Sequence, residues 1–237
     1  MFFCGLNKTT LLDYPGHLAC TIFLGGCNFR CPYCQNKDLL LHPADYAAYT
    51  ESDIFDHLTK RRGILHGVCI TGGEPTLNPE LASFIRKIKD LGYLVKLDTN
   101  GTHPDMVKML YEEHLIDYVA MDIKADPKGY AASAGLPKQD DTLFSKVQET
   151  VRFLMEDAKR PGFDFEFRTT VVKELHDEAT FQGIAEWIKG APHYFLQSYQ
   201  ESEGVLVPGF SAYPEAALQD FVSLIKPKIP SVEIRGV

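Results

Sequence analysis

Short apolar runs recur along this sequence with stretches of helical patterning between them, and that alternation constrains the fold more than any other feature. Residues 18–24, 67–71, 93–98, 118–123, 163–172 and 194–197 read as strands. Thr50-Glu51-Ser52-Asp53 offers N-cap chemistry for a helix to about Arg62, with Ile54, Leu58 and Phe55 inward. Asn78-Pro79-Glu80 opens a second helix. Its Leu81, Phe84, Ile85, Ile88 and Leu91 share one face, and Gly92 ends it. Further helices are predicted near 103–115, through Leu143, Val147, Val151 and Leu154, and from Glu178 to Lys189. Strands alternating with helices imply βαβ units and a parallel sheet. Six units are too few to close an eight-stranded barrel, so the expected fold is α/β, an open partial (βα)6 TIM-like barrel.

With 237 residues and no long linker, the chain is expected to form a single domain over 1–237, its core at about 18–200. A lead-in segment, 6–17, turns at Pro15-Gly16, and a loop is predicted over 125–140. The C-terminal extension, 201–237, carries a helix near 214–225 and a final extended run ending at Val237. Net charge is −8 and no long basic run exists, which argues against nucleic acid as a partner. Lys60-Arg61-Arg62 reads as the solvated last turn of a helix. No apolar segment is long enough for a membrane span, and the N-terminus lacks the charged and apolar regions of a signal peptide.

The loop after the first strand, 25–36, contains Cys27-Asn28-Phe29-Arg30-Cys31-Pro32-Tyr33-Cys34, a C-x3-C-x2-C pattern. Gly25-Gly26 breaks the apolar run, so a tight loop is expected to turn three thiols towards one point. Structural zinc sites are closed by four protein ligands, and His17 or His42 could complete one here. Iron–sulfur clusters are generally held by four cysteines, so three fit a four-iron cluster with one iron open to an exogenous ligand. Spacing alone leaves the metal open. Cys4, Cys20 and Cys69 are scattered, and the latter two sit in apolar runs as buried free thiols. This usage suits a reducing cytoplasm.

Parallel α/β barrels build their active sites at the C-terminal ends of the strands. Here those ends bear the three cysteines, then Gly72-Gly73-Glu74-Pro75, Asp98-Thr99-Asn100-Gly101, Asp122 with Lys124, Arg168 within the fifth strand, and Gln197. The cysteine spacing with an aromatic, Tyr33, before the third cysteine, followed by Gly-Gly-Glu-Pro after the second strand, resembles the radical S-adenosylmethionine (radical SAM) enzymes. Thr10-Leu-Leu-Asp-Tyr-Pro-Gly and the Cys-Gln-Asn that closes the loop narrow this to the activating enzymes of glycyl-radical enzymes, nearest to that of anaerobic ribonucleoside-triphosphate reductase.

The resemblance implies a [4Fe–4S] cluster on Cys27, Cys31 and Cys34, with S-adenosylmethionine chelating the open iron. It implies cofactor contacts at Tyr33, Gly72, Gly73, Glu74, Asp98, Asn100, Lys124, Arg168 and Gln197. Asp98, Thr99 and Asp122 match a monovalent-cation site, and Asp13 matches an acidic position that meets the partner's glycine loop. On the residues alone, Arg168 could instead pair with Glu166 or Asp164, and Asp13 could cap the Pro15-Gly16 turn. Some activases carry a histidine after the sixth strand, where this chain has Gln197-Ser198-Tyr199-Gln200. The implied reaction is reductive cleavage of S-adenosylmethionine to a 5′-deoxyadenosyl radical, which removes a hydrogen atom from a glycine of the reductase. The electron would come from a donor such as flavodoxin or ferredoxin. Two other readings stand beside it: an activase of pyruvate formate-lyase or another glycyl-radical enzyme, and a small-molecule enzyme similar to 7-carboxy-7-deazaguanine synthase.

Overall fold

The computed structural model describes residues 1–137 and 141–236. Eight strands form one sheet in the order β1 (Phe3–Thr10), β2 (Ala19–Leu24), β3 (Gly67–Gly72), β4 (Leu94–Thr99), β5 (Tyr118–Asp122), β6 (Asp164–Val171), β7 (Tyr194–Ser198) and β8 (Val232–Arg235). The order follows the chain from end to end, with β1 and β8 at its two edges; β1 runs antiparallel to β2, and the β2–β3, β3–β4, β6–β7 and β7–β8 pairs are parallel. This is the open α/β architecture expected. The helices are α1 (Lys37–Leu41), α2 (Glu51–Lys60), α3 (Leu81–Asp90), α4 (Pro104–Glu112), α5 (Tyr130–Ala134), α6 (Asp141–Glu156), α7 (Glu178–Trp187) and α8 (Glu215–Ile225), with a 3-10 turn at Pro75–Leu77.

The chain divides into two compact units. The first comprises Met1–Asn28, Asp38–Ala120 and Ala158–Asp164; the second Phe29–Lys37, Met121–Asp157 and the chain from Phe165 on. In the first, β2 and β3 pair in parallel from Ala19↔Gly67 to Leu24↔Gly72, so both strands end at the same level. Ile22, Leu24, Ile70, Val95 and Leu97 of the strands are buried, as are Phe84, Ile85 and Ile88 of α3. Each such side chain contributes about 1.5–3 kcal/mol by leaving water. Thr50 caps α2 through a reciprocal bond with Asp53, as its sequence suggests. In the second unit β6, β7 and β8 run parallel, with α7 and α8 joined by the Phe181–Phe221 ring contact at 4.5 Å.

Three elements depart from expectation. The lead-in segment forms an edge strand, β1, whose exposed Asn7–Thr9 hides any alternation. The predicted 125–140 loop contains α5, a run of small residues with good helix propensity ended by Gly135 in the left-handed region. The final extended run pairs with β7 as β8, and Arg235 there makes two bonds, 2.8 and 3.0 Å, to the fully buried Glu166. Residues 138–140 of the predicted loop and Val237 of the tail lie outside the described residues. Among the described residues no helix is long and apolar enough to cross a membrane.

Candidate active site

In the first unit, the register of β2 on β3 builds the Gly-Gly-Glu turn. Because Leu24 lies opposite Gly72, the chain leaves both strands side by side. Gly73 N–H donates to Leu24 O and Glu74 N–H to Gly26 O, both at 2.8 Å. The approach is so close that a Cβ on Gly73 would stand 2.0 Å from the Gly26 oxygen. Gly72, at φ 118°, is where only glycine is at ease.

Glu74 is wholly buried, and its carboxylate accepts from Thr76 N, Thr76 Oγ1, Thr99 Oγ1 and Asn100 N, the last at 2.6 Å. Burial raises its pKa, and these donors offset part of the shift. The side chain therefore pins the end of β4 to the Gly-Gly-Glu turn. Both carboxylate oxygens accept from the chain itself. Asn100 continues the linkage: its amide donates to Asn28 Oδ1 at 2.9 Å and, at 3.8 Å, to Cys27 Sγ, while its oxygen accepts from Thr102 N and Oγ1. Asn28 and Thr102, which the sequence reading did not single out, close this ring through a 2.8 Å bond.

Asp13 is held by Thr21 Oγ1 of β2 and half-buried; Thr10 Oγ1, not Asp13, accepts the N–H groups of Leu12 and Asp13. Asp98 pairs with Lys96, two residues back on β4 and on the same face.

In the second unit, Cys31 is buried and its thiol is pushed up to about 11 by desolvation, with Lys124 pulling the other way. Cys34 N–H donates to Cys31 O at 3.0 Å. Tyr33 is buried, and among the described residues its hydroxyl has no hydrogen-bond partner. Lys124 bonds Asp122 Oδ2 at 3.1 Å, and Arg168 Nε bonds Asp122 Oδ1 at 3.0 Å. Burial alone would lower the Lys124 pKa, but Asp122, Cys31, Tyr33 and Tyr130 around it raise it well above the ordinary lysine value. Arg168 thus pairs with Asp122, and Glu166 with Arg235.

His176, missed in the sequence, accepts from Val172 N at 2.9 Å through Nδ1, so Nε2 carries the proton and donates to Lys124 O at 2.7 Å. It braces the Asp-Ile-Lys segment from behind. Gln197, one residue before the end of β7, is half-buried, in register with Thr170 and Arg235.

The back of the cysteine loop is fastened to residues 200–207. Leu206 N–H donates to Cys34 O and Val207 N–H to Pro32 O, both at 2.9 Å. Gln35 Nε2 donates to Gln200 O at 2.7 Å, and Lys37 to the carbonyls of Glu203 and Gly204. On the front, Arg30 N–H donates to Ala134 O at 3.0 Å, and Gly135 abuts the Arg30 carbonyl.

The donor chemistry fits an iron–sulfur cluster and a polar cofactor: thiols in an ordered loop, a backbone turn without Cβ atoms, and a buried hydroxyl lacking a partner. Among the described residues, no group of three or more His, Cys, Asp or Glu is gathered to hold a single metal ion. The assignment of the three thiols to one cluster rests on the motif. The monovalent-cation set fits less well, since Asp98 and Asp122 already carry the chain's own cations.

Residues 21–180 match the Radical SAM superfamily, two-thirds of the chain, and the protein belongs to that family. Over 98% of its length it is 30% identical to a Methanocaldococcus jannaschii protein named "Putative glycyl-radical enzyme activating enzyme", covering 95% of that relative. A 7-carboxy-7-deazaguanine synthase of Neisseria meningitidis is 32% identical over 46% of this chain and 45% of its own. Among solved structures, Streptococcus suis SuiB bound to precursor peptide SuiA aligns with TM-score 0.67 at 16% identity, covering 91% of this chain and 48% of SuiB. TYW1 with a lysine-pyruvate adduct aligns with TM-score 0.59 at 15% identity, over 89% and 74%. These last two likenesses bear on the fold.

Proposed function

We propose that this protein is a glycyl-radical-enzyme activating enzyme that acts on a glycine of anaerobic ribonucleoside-triphosphate reductase. One observation carries the reading: similarity to the M. jannaschii relative spans nearly the whole of both chains, from the Asp13-Tyr14-Pro15-Gly16 segment through the tail. The deazaguanine synthases share less than half of this chain in the N. meningitidis case, which favours the activase over a small-molecule enzyme. Reading 1–237 as one domain is supported by a family match that runs through both compact units.

When bound, the [4Fe–4S] cluster and S-adenosylmethionine supply the radical chemistry; the chain supplies placement and charge. Cys27, Cys31 and Cys34 are the proposed ligands. Gly72 and Gly73 let the turn close on the backbone of Leu24 and Gly26, directly before the cysteine motif. Glu74 and Asn100 fix that turn to β4. Tyr33 offers a hydroxyl without a partner among the described residues, and half-buried Lys124 and Arg168 bring positive charge suited to a carboxylate. Asp98 and Gln197 complete the proposed cofactor contacts, Asp13 the contact to the partner peptide. The working partners are the reductase and an electron donor of the flavodoxin or ferredoxin kind, in the cytoplasm.

The test is anaerobic reconstitution, reduction and addition of S-adenosylmethionine, with 5′-deoxyadenosine measured with and without the reductase. The expected result is cofactor cleavage and a glycyl-radical EPR doublet on the reductase, both lost in Cys31→Ala. Cleavage with no radical on any glycyl-radical enzyme tried would remove the activase reading.

A further inference from the structure

The oxygens that the resemblance assigns to a monovalent cation are engaged one by one. Asp98 Oδ1 faces the Lys96 ammonium, and Cys69 Sγ lies 3.7 Å from the same oxygen. The Thr99 hydroxyl donates to Glu74 and accepts from Gly101 N at 3.1 Å. Asp122 is shared by Lys124 and Arg168. Lys96 itself is unusual. Its side chain is only 2% exposed, in the middle of β4, where a long cation is costly unless paired. Its neighbours are Asp98, Cys69 Sγ at 3.8 Å, opposite it in the β3–β4 register, and the Tyr118 ring at 6.0 Å. A carboxylate, a sulfur and an aromatic ring form a cage for a small cation, and the ammonium fills it.

We propose that Lys96 is a tethered replacement for the monovalent ion: its ammonium neutralises Asp98 and fixes the strand end that carries Thr99 and Asn100, so the protein needs no sodium or potassium. A free ion next to Asp98 would meet the ammonium at close range and be repelled. The role of Lys96 is positioning. It acts through Asp98 and the backbone that binds Glu74. This inference rests on the family assignment for its expectation of an ion, but not on the identity of the partner protein.

Melting of the cluster-free chain tests it without reference to activity. At constant ionic strength, wild type should melt at the same temperature in sodium, potassium and choline chloride, and should bind no thallium(I) displaceable by potassium in 205Tl NMR. Lys96→Ala should melt lower in choline and recover saturably with potassium, sodium or methylammonium, since these enter the vacated cage; Lys96→Ala/Asp98→Asn should lose that recovery. Saturable, ion-specific stabilisation or thallium binding in wild type overturns the proposal, as does a folded Lys96→Ala variant indifferent to the ion. Should Lys96→Ala fail to fold, the wild-type thallium titration decides alone.

Discussion

Replacing Gly135 by alanine should disturb the cysteine loop although no cysteine is touched. Gly135 ends α5 at φ 64°, and a Cβ there would stand 1.9 Å from the Arg30 oxygen and 2.4 Å from its carbonyl carbon. Arg30 lies between Cys27 and Cys31, and the obstacle is backbone, which cannot rotate aside. Two costs add. The left-handed conformation costs alanine about 1–2 kcal/mol, and forcing the carbonyl away costs about 1–3 kcal/mol by analogy with overpacked cores. The total is about 2–5 kcal/mol. Gly190→Ala separates the terms: Gly190 has φ 84° but nothing within 4 Å of its Cβ position, so only the first, about 1–2 kcal/mol, applies. Urea midpoints at unchanged slope give the stability loss, and iron bound per chain after anaerobic reconstitution reports the loop. Gly135→Ala should lose about 1–3 kcal/mol more stability than Gly190→Ala, and most of its iron, whereas Gly190→Ala keeps its iron. Equal stability losses with full iron in both would refute the argument that Gly135 sets the loop.

Two further outcomes are expected. Tyr33→Phe removes a buried hydroxyl that has no partner, so the cluster-free protein should be unchanged or up to about 1 kcal/mol more stable, while S-adenosylmethionine affinity falls; a clear loss of apo stability would mean the hydroxyl is already bonded. Burial holds the His176 imidazole below its ordinary 6.5, so its neutral form stabilises the fold fully above that pH. That contribution is lost as pH falls below 6.5 towards the folded value. Comparing denaturant stability at pH 7.5 and 5.5, wild type should therefore lose more than His176→Gln; equal losses would remove His176 as the cause.

Much of this architecture was legible because its signals are local. The six central strands and the amphipathic faces of α2 and α3 follow from residues within one or two turns of each other, and the Gly-Gly-Glu turn falls where the second predicted strand stops. What the sequence hid depends on distant partners. Arg168 had acidic candidates two and four residues away, and nothing local pointed to its bond with Asp122, 46 positions back, or to that of Glu166 with Arg235, 69 positions on. Lys96 sits in a run that reads as an ordinary strand, and only the opposing Cys69 and the Tyr118 ring reveal its cage. Glu74 looked like a ligand-facing carboxylate. Thr99 and Asn100, brought in by β4, turn it inward.

The fastening of Cys34 and Pro32 to Leu206 and Val207 also sets an order of events in time. Ribosomes deliver the thiols early and their braces late, about 170 residues apart, which at about 5–20 residues per second is roughly 10–35 s of synthesis. Throughout that interval the nascent cysteine loop lacks half of its backbone partners. A cluster carrier that met the growing chain before Leu206 and Val207 emerged would find thiols without a finished cradle, so metallation belongs after that stretch has been made.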